Sequence, residues 1–301
     1  MSKSTGEQKK KASRIWQTAR RTFDYSEKVL VMGILNLTPD SFSDGGRFAS
    51  LDAALRQAEL MIEAGADILD IGGESTRPGA ERISADAEMR RVVPVIAEIS
   101  KRFEVAISID TTKSAVARAA IEIGAEIIND ISGLRFDAAI ATVAAQTMAG
   151  LVLMHSRGDF EEMHRLKTVE QVLPEVIADL RQSAVNAANF GVKIEQIAFD
   201  IGVGFSKTFL QNLELLANLD KICHNLNDSP ILVGTSRKSF IGKILNDAPV
   251  SERLYGTVAS VAIAIFNGAN IVRVHDVRAA SDAARVAGMI RDNKDRHDDK
   301  G

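Results

Sequence analysis

VLVMGILN, residues 29–36, is followed by SLDAALRQAELMIEAGA, residues 50–66, and then by ILDIGGEST, residues 68–76. The first and last runs are short and apolar, as expected of buried strands, and the middle segment has apolar residues at near-helical spacing. This strand–helix–strand pattern recurs, and each apolar run ends in residues that can ionise or form hydrogen bonds. These ends are Asn36, Glu74–Thr76, Asp110, Asn129 with Asp130, His155, Asp200, Ser236–Ser239, and Arg273 with His275. The pattern predicts about eight βα units closed into a TIM (β/α)8 barrel, a single-domain α/β fold whose catalytic residues lie at the carboxyl ends of the strands.

An open, doubly wound sheet is the alternative fold. Such a sheet normally carries its ligand at one switch point near the first strand. Here the polar strand ends are spread along the whole chain. The spread favours the barrel.

Composition limits the classes of partner. Lys and Arg number 37 and Asp and Glu number 40, which gives a formal net charge of -3. That balance provides no whole-chain field to attract nucleic acid or an anionic membrane, so any anion site must be local. A single cysteine, Cys223, excludes an internal disulfide, and a reducing cytoplasmic location is the default expectation.

The two ends of the chain differ from the part between them. Residues 1–28 begin with a polar, Lys-rich stretch. We expect a disordered tip and then a segment that covers the amino-terminal face of the barrel with Trp16 and Phe23, and the acidic residues there argue against a transit peptide. Residues 291–301 form a charged tail that we expect to be disordered. The catalytic domain is then expected to span residues 29–290.

A long loop follows the first strand. NLTPDSFSDGGRF, residues 36–48, leaves the strand at Asn36 and is rich in Asp, Ser and Gly. Its composition predicts a mobile loop, with Phe42 and Asp44, that closes over a ligand. An ordinary surface turn is the other interpretation.

A second loop, ESTRPGA, spans residues 74–80. Arg77 can meet an anion there, and Pro78 stiffens the turn. The alternative is a surface arginine beside a turn proline.

Asp110, Asn129 and Asp200 end three different predicted strands. Side chains alternate across a strand, so these groups can point into the mouth of a barrel. Two carboxylates and an amide complement the donor-rich edge of a flat, guanidine-like heterocycle. Helix capping and a metal cluster remain alternatives, although hard divalent cations usually need more carboxylates on one loop.

Basic residues follow the last two predicted strands, where barrels commonly bind phosphate. They are Arg237, Lys238, Arg273 and His275, and together they predict a local anion site, with solvated surface charges as the alternative. The segment at residues 202–208 has some features of a phosphate-binding loop, but Ser206 stands where a glycine should precede the lysine. For His155 we favour hydrogen bonding in the core over a role as base or metal ligand.

The segment RLYGTVASVAIAIFNGA, residues 253–269, is apolar on almost every side. It is too short to cross a bilayer, so it is expected to be buried on two faces. A subunit interface accounts for this.

From about residue 29 to residue 286 the chain resembles the dihydropteroate synthase family. NLTPDSFSDGG, ESTRPG, SID, NDISG, LVGTSRKSFIG and RVHDV occur in order. The resemblance implies a TIM barrel, usually a homodimer, that joins 6-hydroxymethyl-7,8-dihydropterin diphosphate to p-aminobenzoate and releases diphosphate. It also implies Mg²⁺ as cofactor, an SN1-like reaction, and inhibition by sulfonamides, which mimic p-aminobenzoate.

The resemblance assigns roles to matching positions. Asp110, Asn129, Met154, Asp200 and Lys238 match pterin-binding positions; Asn36, Arg77, Arg273 and His275 match diphosphate positions, with Asn36 also near the metal; and Thr76, Pro78, Phe205, Gly234 and Ser239 match the p-aminobenzoate region. Lys238, Asp110, Asp200 and Arg273 are the expected catalytic residues.

The chain departs from the family pattern at two places. Ile201 replaces the usual proline after Asp200, and Ser156-Arg157 replaces Met-Gln after His155. The first departure affects loop stiffness, and the second places an unexpected cation near the mouth.

Two rival functions share the barrel. One is a pterin-binding methyltransferase module, which works with a corrinoid protein and needs no diphosphate site. The other is a non-catalytic pterin-binding barrel, against which the intact loops at residues 36–48 and 74–80 argue.

Overall fold

The computed structural model describes residues 14–37, 46–76, 79–160, 169–227 and 229–298; the side chains of residues 46–50 and 295–298 are not described. Eight parallel strands form a closed barrel in the order β10-β3-β4-β5-β6-β7-β8-β9. The strands are β3 (Leu30–Asn36), β4 (Ile68–Gly72), β5 (Ala106–Asp110), β6 (Ile127–Asp130), β7 (Gly150–Met154), β8 (Ile197–Asp200), β9 (Ile231–Val233) and β10 (Ile271–Val274). The predicted TIM barrel is confirmed.

Helices connect consecutive barrel strands and surround them. They are α1 (Gly46–Glu63), α2 (Ala85–Arg102), α3 (Ser114–Ile123), α4 (Ala139–Thr147), α5 (Val172–Asn189), α6 (Phe209–Ala217), α7 (Leu219–Asn225), α8 (Ser239–Ile244), α9 (Leu254–Phe266) and α10 (Val277–Asp298). Across the described ranges, no helix is both long and apolar enough to cross a membrane.

The barrel strands are buried on both faces, which explains why they read as continuous apolar runs. Their outward side chains pack against the helices in the main core. The inward side chains near the amino-terminal end form a second apolar cluster, made of Leu30, Met32, Ile68, Ala106, Ile127, Val152, Ala198, Leu232 and Ile271. This cluster fills the lower half of the barrel.

Most of the next inward positions along the same strands carry polar side chains. Because side chains alternate, the residue two positions further along points to the same face. Those positions are Ile34, Asp70, Ser108, Asn129, Met154, Asp200, Gly234 and Arg273. The interior therefore changes from apolar to polar within one layer of side chains.

A short hairpin lies across the amino-terminal end of the barrel. Strands β1 (Ile15–Gln17) and β2 (Thr22–Asp24) pair antiparallel and place Trp16 opposite Phe23. Trp16 is fully buried within the lower apolar cluster, and its indole N–H donates to the Gln196 carbonyl at 2.8 Å. A Cβ on Gly150 would stand 3.2 Å from the indole, so the missing side chain leaves room for the ring.

The carboxyl-terminal helix extends further than its composition suggests. We expected disorder from residue 291, but α10 continues to Asp298. Arg291 donates to the Ile265 carbonyl, in the last turn of α9, at 3.2 Å. It also donates to the Ala269 carbonyl, just after that helix, at 2.9 Å. Extending an existing helix costs less than nucleating one, and these contacts hold its last turns.

Replacing Trp16 with Ala should lower the free energy of unfolding by about 3–5 kcal/mol, because a large buried ring leaves a cavity behind it. Urea unfolding measures the change. Ile15→Ala, on the same strand with a largely exposed side chain, is the control and should cost under about 1 kcal/mol. Equal losses for both variants would contradict a plugging role for Trp16.

Candidate functional site

Arg273 lies at the centre of the polar layer, between two carboxylates. Its Nε contacts Asp70 Oδ2 at 2.6 Å, and its Nη2 contacts Asp110 Oδ2 at 2.6 Å. Burial alone would lower the pKa of Arg273, but Asp70 and Asp110 outweigh this effect and raise the pKa above its usual value. The guanidinium is therefore permanently charged and held on two sides.

Asp110 is the more exposed of the two carboxylates, since Asp70 is fully buried. Burial raises the pKa of Asp110 to about 7; Arg273 opposes that shift and Asp70 adds to it. A cation arriving beside Asp110 would favour its ionised form.

Asn129 contacts the same carboxylate as Arg273. Its Nδ2 donates to Asp70 Oδ2 at 3.1 Å. Within the described residues its Oδ1 is buried and has no hydrogen-bond partner. The amide therefore keeps an acceptor for a ligand.

Asp200 and Lys238 are two further charged groups at the mouth, and they interact electrostatically. Asp200 Oδ1 accepts from the Gly202 N–H at 2.7 Å, and the Lys238 ammonium donates to the Val203 carbonyl. Burial lowers the pKa of Lys238 to about 8, with Asp200 opposing the shift. Burial also raises the pKa of Asp200, against the effect of Lys238.

One side of the site is apolar. Ile131, Met154 and Phe160 form a small buried cluster, and Phe136 and Phe205 pack against it. The Lys238 ammonium lies 4.9 Å from the centroid of the Phe205 ring. Gly234 is next to this group, because a Cβ there would stand 3.8 Å from Lys238 Nζ.

His275 and Arg237, both placed in the anion site by the sequence, differ in position. His275 Nδ1 is 3.0 Å from Ser236 Oγ at the inner rim. Arg237 instead forms a bidentate pair with Asp276, at 2.5 and 2.9 Å. Arg237 lies in the turn after β9 with a φ of 57°, and its guanidinium is paired with Asp276, so its part in the anion site stays a prediction.

The other predicted residues surround this centre or lie outside the described ranges. Thr76 is half-buried after β4, and Ser239 is the exposed first residue of α8. Asn36 ends β3, and its Oδ1 lies 3.7 Å from the position a Cβ on Gly72 would take, as does Asp110 Oδ2. Phe42, Asp44, Arg77 and Pro78 lie outside the described residues.

The unexpected cation Arg157 faces away from the mouth. It is buried and forms a two-pronged pair with Glu175, at 2.7 and 2.6 Å. Its guanidinium also donates to the Ser206 carbonyl, and Ser206 Oγ donates back to the Arg157 carbonyl at 3.1 Å. Ser206 has a φ of 49°, so these bonds hold a backbone conformation that glycine would adopt more readily. The other departure, Ile201, is fully buried in the main core.

Lys207 fixes the loop that carries Phe205. Its buried ammonium contacts His155 Nδ1 at 2.9 Å, the Gly202 carbonyl at 2.9 Å and the Phe205 carbonyl at 3.0 Å. An ammonium has three donors, so all are used. Lys207, which belongs to the segment compared above with a phosphate-binding loop, therefore has a structural role.

His155 is buried and faces outward, as the core interpretation expected. Its Nε2 lies 3.2 Å from Asp179 Oδ2. His155, Glu175 and Asp179 are close enough to hold a metal ion, but both Glu175 oxygens already bind Arg157, and Lys207 adds a second cation. These neighbours favour an ion-pair network over a metal site.

Asp70, which the sequence reasoning missed, is the main addition to the site. It lies in the middle of an apolar strand, two residues before the strand's end. The signal was its spacing, since it lies an even number of residues from the inward-facing Ile68 and Gly72.

Comparison with known proteins gives the class first. The family described as pterin binding enzymes matches residues 32–275. Fold and site together therefore define a pterin-binding enzyme built on a TIM barrel.

The relatives and solved structures are more specific. The chain is 48% identical over 278 residues to the dihydropteroate synthase of Bacillus subtilis, covering 92% of this chain and 93% of the relative. It is 47% identical over 268 residues to that of Synechocystis, covering 89% and 92%. The chain belongs to the dihydropteroate synthase family and is a transferase.

Three solved structures have the same fold. A dihydropteroate synthase of Clostridium difficile in the presence of pteroic acid is 43% identical, with a TM-score of 0.84 over 89% of this chain and 98% of that one. One from Xanthomonas albilineans with 4-aminobenzoic acid is 37% identical, with a TM-score of 0.86 over 93% and 99%. One from Yersinia pestis with a sulfonamide drug complex is 39% identical, with a TM-score of 0.85 over 92% and 99%.

The His155 network should make stability depend on pH. Burial lowers the pKa of His155 to about 4, whereas the unfolded chain takes up this proton near pH 6.5. The contribution of neutral His155 to the free energy of unfolding is therefore present above pH 6.5 and is lost as the pH falls toward 4. At about 1.4 kcal/mol per pH unit, the loss amounts to about 3 kcal/mol.

Urea unfolding of the parent and His155→Gln, at several pH values between 7.5 and 4.5, isolates this contribution. The parent's advantage over the variant should shrink as the pH falls. A constant difference across that range would show that His155 is not held neutral.

Proposed function

We propose that the mouth of the barrel binds 6-hydroxymethyl-7,8-dihydropterin diphosphate and p-aminobenzoate and condenses them to 7,8-dihydropteroate and diphosphate. The observation that carries the proposal is the polar layer itself. Asp110, Asn129, Asp200 and Arg273 converge above an apolar barrel floor and beside an apolar wall. A flat, polar heterocycle attached to an anion is the ligand that this combination fits.

The pterin ring is assigned to the space between the polar layer and Met154. Asp200 and Asn129 Oδ1 supply acceptors for the ring's N–H groups, and Asp110 supplies a further carboxylate. Lys238 donates from the opposite side. Met154, buried beside Ile131, provides the apolar contact for the ring face.

The diphosphate is assigned to the rim where Asn36, Arg273 and His275 end their strands. Arg77, on the loop after β4, is proposed as a further partner from its position in the sequence. Charge-assisted bonds from arginine to phosphate are strong and directional, which suits a leaving group that must be held in one orientation.

The residues present also fit Mg²⁺. This ion prefers oxygen ligands and usually takes one or two from protein and the rest from phosphate and water. Asn36 Oδ1 lies over Gly72, where the absence of a side chain leaves space beside it, and Asp110 Oδ2, which also accepts from Arg273, lies at the same distance from that space. Asn36 would hold the ion, which would supply Lewis-acid stabilisation of the diphosphate.

The p-aminobenzoate ring is assigned to the outer part of the pocket. Phe205, Gly234, Ser239 and Thr76 bound this region, and Pro78, outside the described residues, is proposed as a further contact from its position in the sequence. A sulfonamide shares the ring and the amine, so it should compete for the same place.

The charges support an SN1-like order, in which the bond to diphosphate breaks before the amine attacks. A positive charge then develops on the pterin methylene group. Asp110 and Asp200 lie beside the ring and favour that charge, and the charge in turn lowers their raised pKa values. A strong protein base is not required.

A coupled assay for diphosphate release tests the proposal. Release should require both the pterin diphosphate and p-aminobenzoate, and a sulfonamide should inhibit it competitively with p-aminobenzoate. Methyl transfer to a corrinoid protein, with no diphosphate release, would favour the methyltransferase alternative.

Lys238→Ala should lower kcat/KM, by an amount equal to about 2–4 kcal/mol of lost transition-state stabilisation. The reason is that Lys238 is proposed to contact both the pterin ring and the charge that develops near it. Turnover by the purified variant measures the loss. Lys243→Ala, on the helix that begins just after Lys238 and with its ammonium 5.0 Å from the Phe209 ring, is the control and should keep normal turnover. Near-normal turnover of the Lys238 variant would remove Lys238 from the site.

Asn36→Ala should raise the Mg²⁺ concentration needed for half-maximal turnover, because the protein would lose its own ligand to the ion. Metal titrations of variant and parent give the comparison. If the two curves superimpose, the assignment of Asn36 is wrong.

We also propose a homodimer through α9 and α10, which pack side by side. Their outer faces expose Tyr255, Ile263, Phe266, Val286, Met289 and Ile290, an apolar area of the kind that marks interfaces. The cytoplasmic location stays a prediction from the composition.

Met289→Glu should shift the protein from dimer to monomer, since a charge buried in an apolar interface lacks a partner. Mass measured by light scattering at micromolar concentration shows the shift. Val185→Glu, at an exposed apolar position on α5, is the control and should leave the dimer intact. A monomeric parent protein would contradict the proposal.

A further inference from the structure

Asp70 is the most deeply buried charged group of the polar layer, and no step described so far uses it. It lies in the middle of β4, and its side chain is fully buried. An unpaired carboxylate in such a place is costly, so a buried one must be compensated by close partners.

Both partners of Asp70 belong to the proposed substrate site. Oδ2 accepts from Arg273 Nε at 2.6 Å and from Asn129 Nδ2 at 3.1 Å. One oxygen atom therefore fixes a guanidinium assigned to diphosphate and an amide assigned to the pterin ring. The two residues come from strands on different sides of the barrel, and Asp70 links them.

The bond to Asn129 determines which way its amide points. An amide has a donor end and an acceptor end of nearly equal size. Because Nδ2 is tied to Asp70, Oδ1 is the end left for a ligand, and among the described residues it has no partner. An N–H donor on the ligand is then accepted, and an acceptor at the same place is rejected.

The bond to Arg273 determines the plane of the guanidinium. Asp70 binds Nε and Asp110 binds Nη2, so the planar group is held at two separated points. Neither carboxylate alone would restrain rotation about the last side-chain bond as fully. Of the two, Asp70 is the one buried beneath the pocket, whereas Asp110 is also assigned to the substrate.

We propose that Asp70 is a positioning residue, which orients Arg273 and Asn129 so that one carboxylate sets the geometry of both the diphosphate and the pterin subsites. The inference rests on the proposed function and deepens it. Asp70 acts through its two partners, without contact to the substrate.

Asp70→Asn tests the proposal with almost no change in shape. The new amide oxygen can still accept from Arg273 and Asn129, but it carries no charge, so both bonds weaken and hold their donors less firmly. Arg273 keeps Asp110, so the fold should survive. The pterin diphosphate should bind at least about tenfold more weakly in calorimetry without p-aminobenzoate. The KM for the pterin diphosphate should rise. The KM for p-aminobenzoate, measured at saturating pterin diphosphate, should change less than about twofold.

Asp67→Asn is the matched control. Asp67 precedes the same strand and pairs with Lys28 and the Val31 N–H at the opposite end of the barrel. It should cost stability but leave both KM values unchanged. If Asp70→Asn lowers the stability but leaves the affinities for the pterin diphosphate and for p-aminobenzoate unchanged, as the control does, Asp70 has only a structural role. The proposal then fails.

A double-mutant cycle tests the link to Asn129. If Asp70 acts by orienting that amide, Asp70→Asn should weaken binding much less in an Asn129→Ala background than in the parent. Equal losses in both backgrounds would overturn this part. A parent protein that binds no pterin diphosphate at all would instead refute the proposed function, so the two failures are distinct.

Discussion

The ion pairs of Arg273 with Asp70 and Asp110 are the interaction on which the site depends. A buried cation needs partners that repay its desolvation, and here two carboxylates do so from adjacent strands. With both ionised, the three groups carry a net negative charge in the barrel. A protein built only for stability would gain little from such an arrangement, but the mechanism proposed above, in which the site favours a transient cation, would gain directly.

The surrounding structure separates rigid support from chemistry. The lower half of the barrel is apolar and is covered by Trp16, so apolar side chains separate the polar layer from the amino-terminal end. Lys207 and Arg157 lie on the outward side and bind the loop carrying Phe205 to β7 and α5. Lys207 and Arg157 thus support the loop, whereas Lys238 and Arg273 lie on the inner side, at the proposed ligand site.

Much of this could be predicted from the sequence, and the failures have physical causes. Polar residues at strand ends identified Asp110, Asn129 and Asp200, because the end of a strand is where a barrel opens. Asp70 was missed because it lies within an apolar run, and only the two-residue alternation reveals that it faces inward. The pairing of Arg237 with Asp276 was also missed, because Arg237 lies in a turn beyond β9 and the pair is a tertiary contact that the strand pattern does not show. The continuation of α10 depended on Arg291 reaching α9, a tertiary contact that composition does not encode.

The position of Trp16 has a consequence for the order of folding. Its partners Gly150 and Gln196 lie far along the chain, and Gln196 is separated from it by 180 residues. During synthesis the hairpin therefore emerges first, yet it finds its place only after β7 and β8 exist. The barrel itself closes when β10 pairs with β3, a contact between distant segments that forms slowly. The hairpin is thus made early and buried late, and until it docks the lower apolar cluster of the barrel lacks its cover.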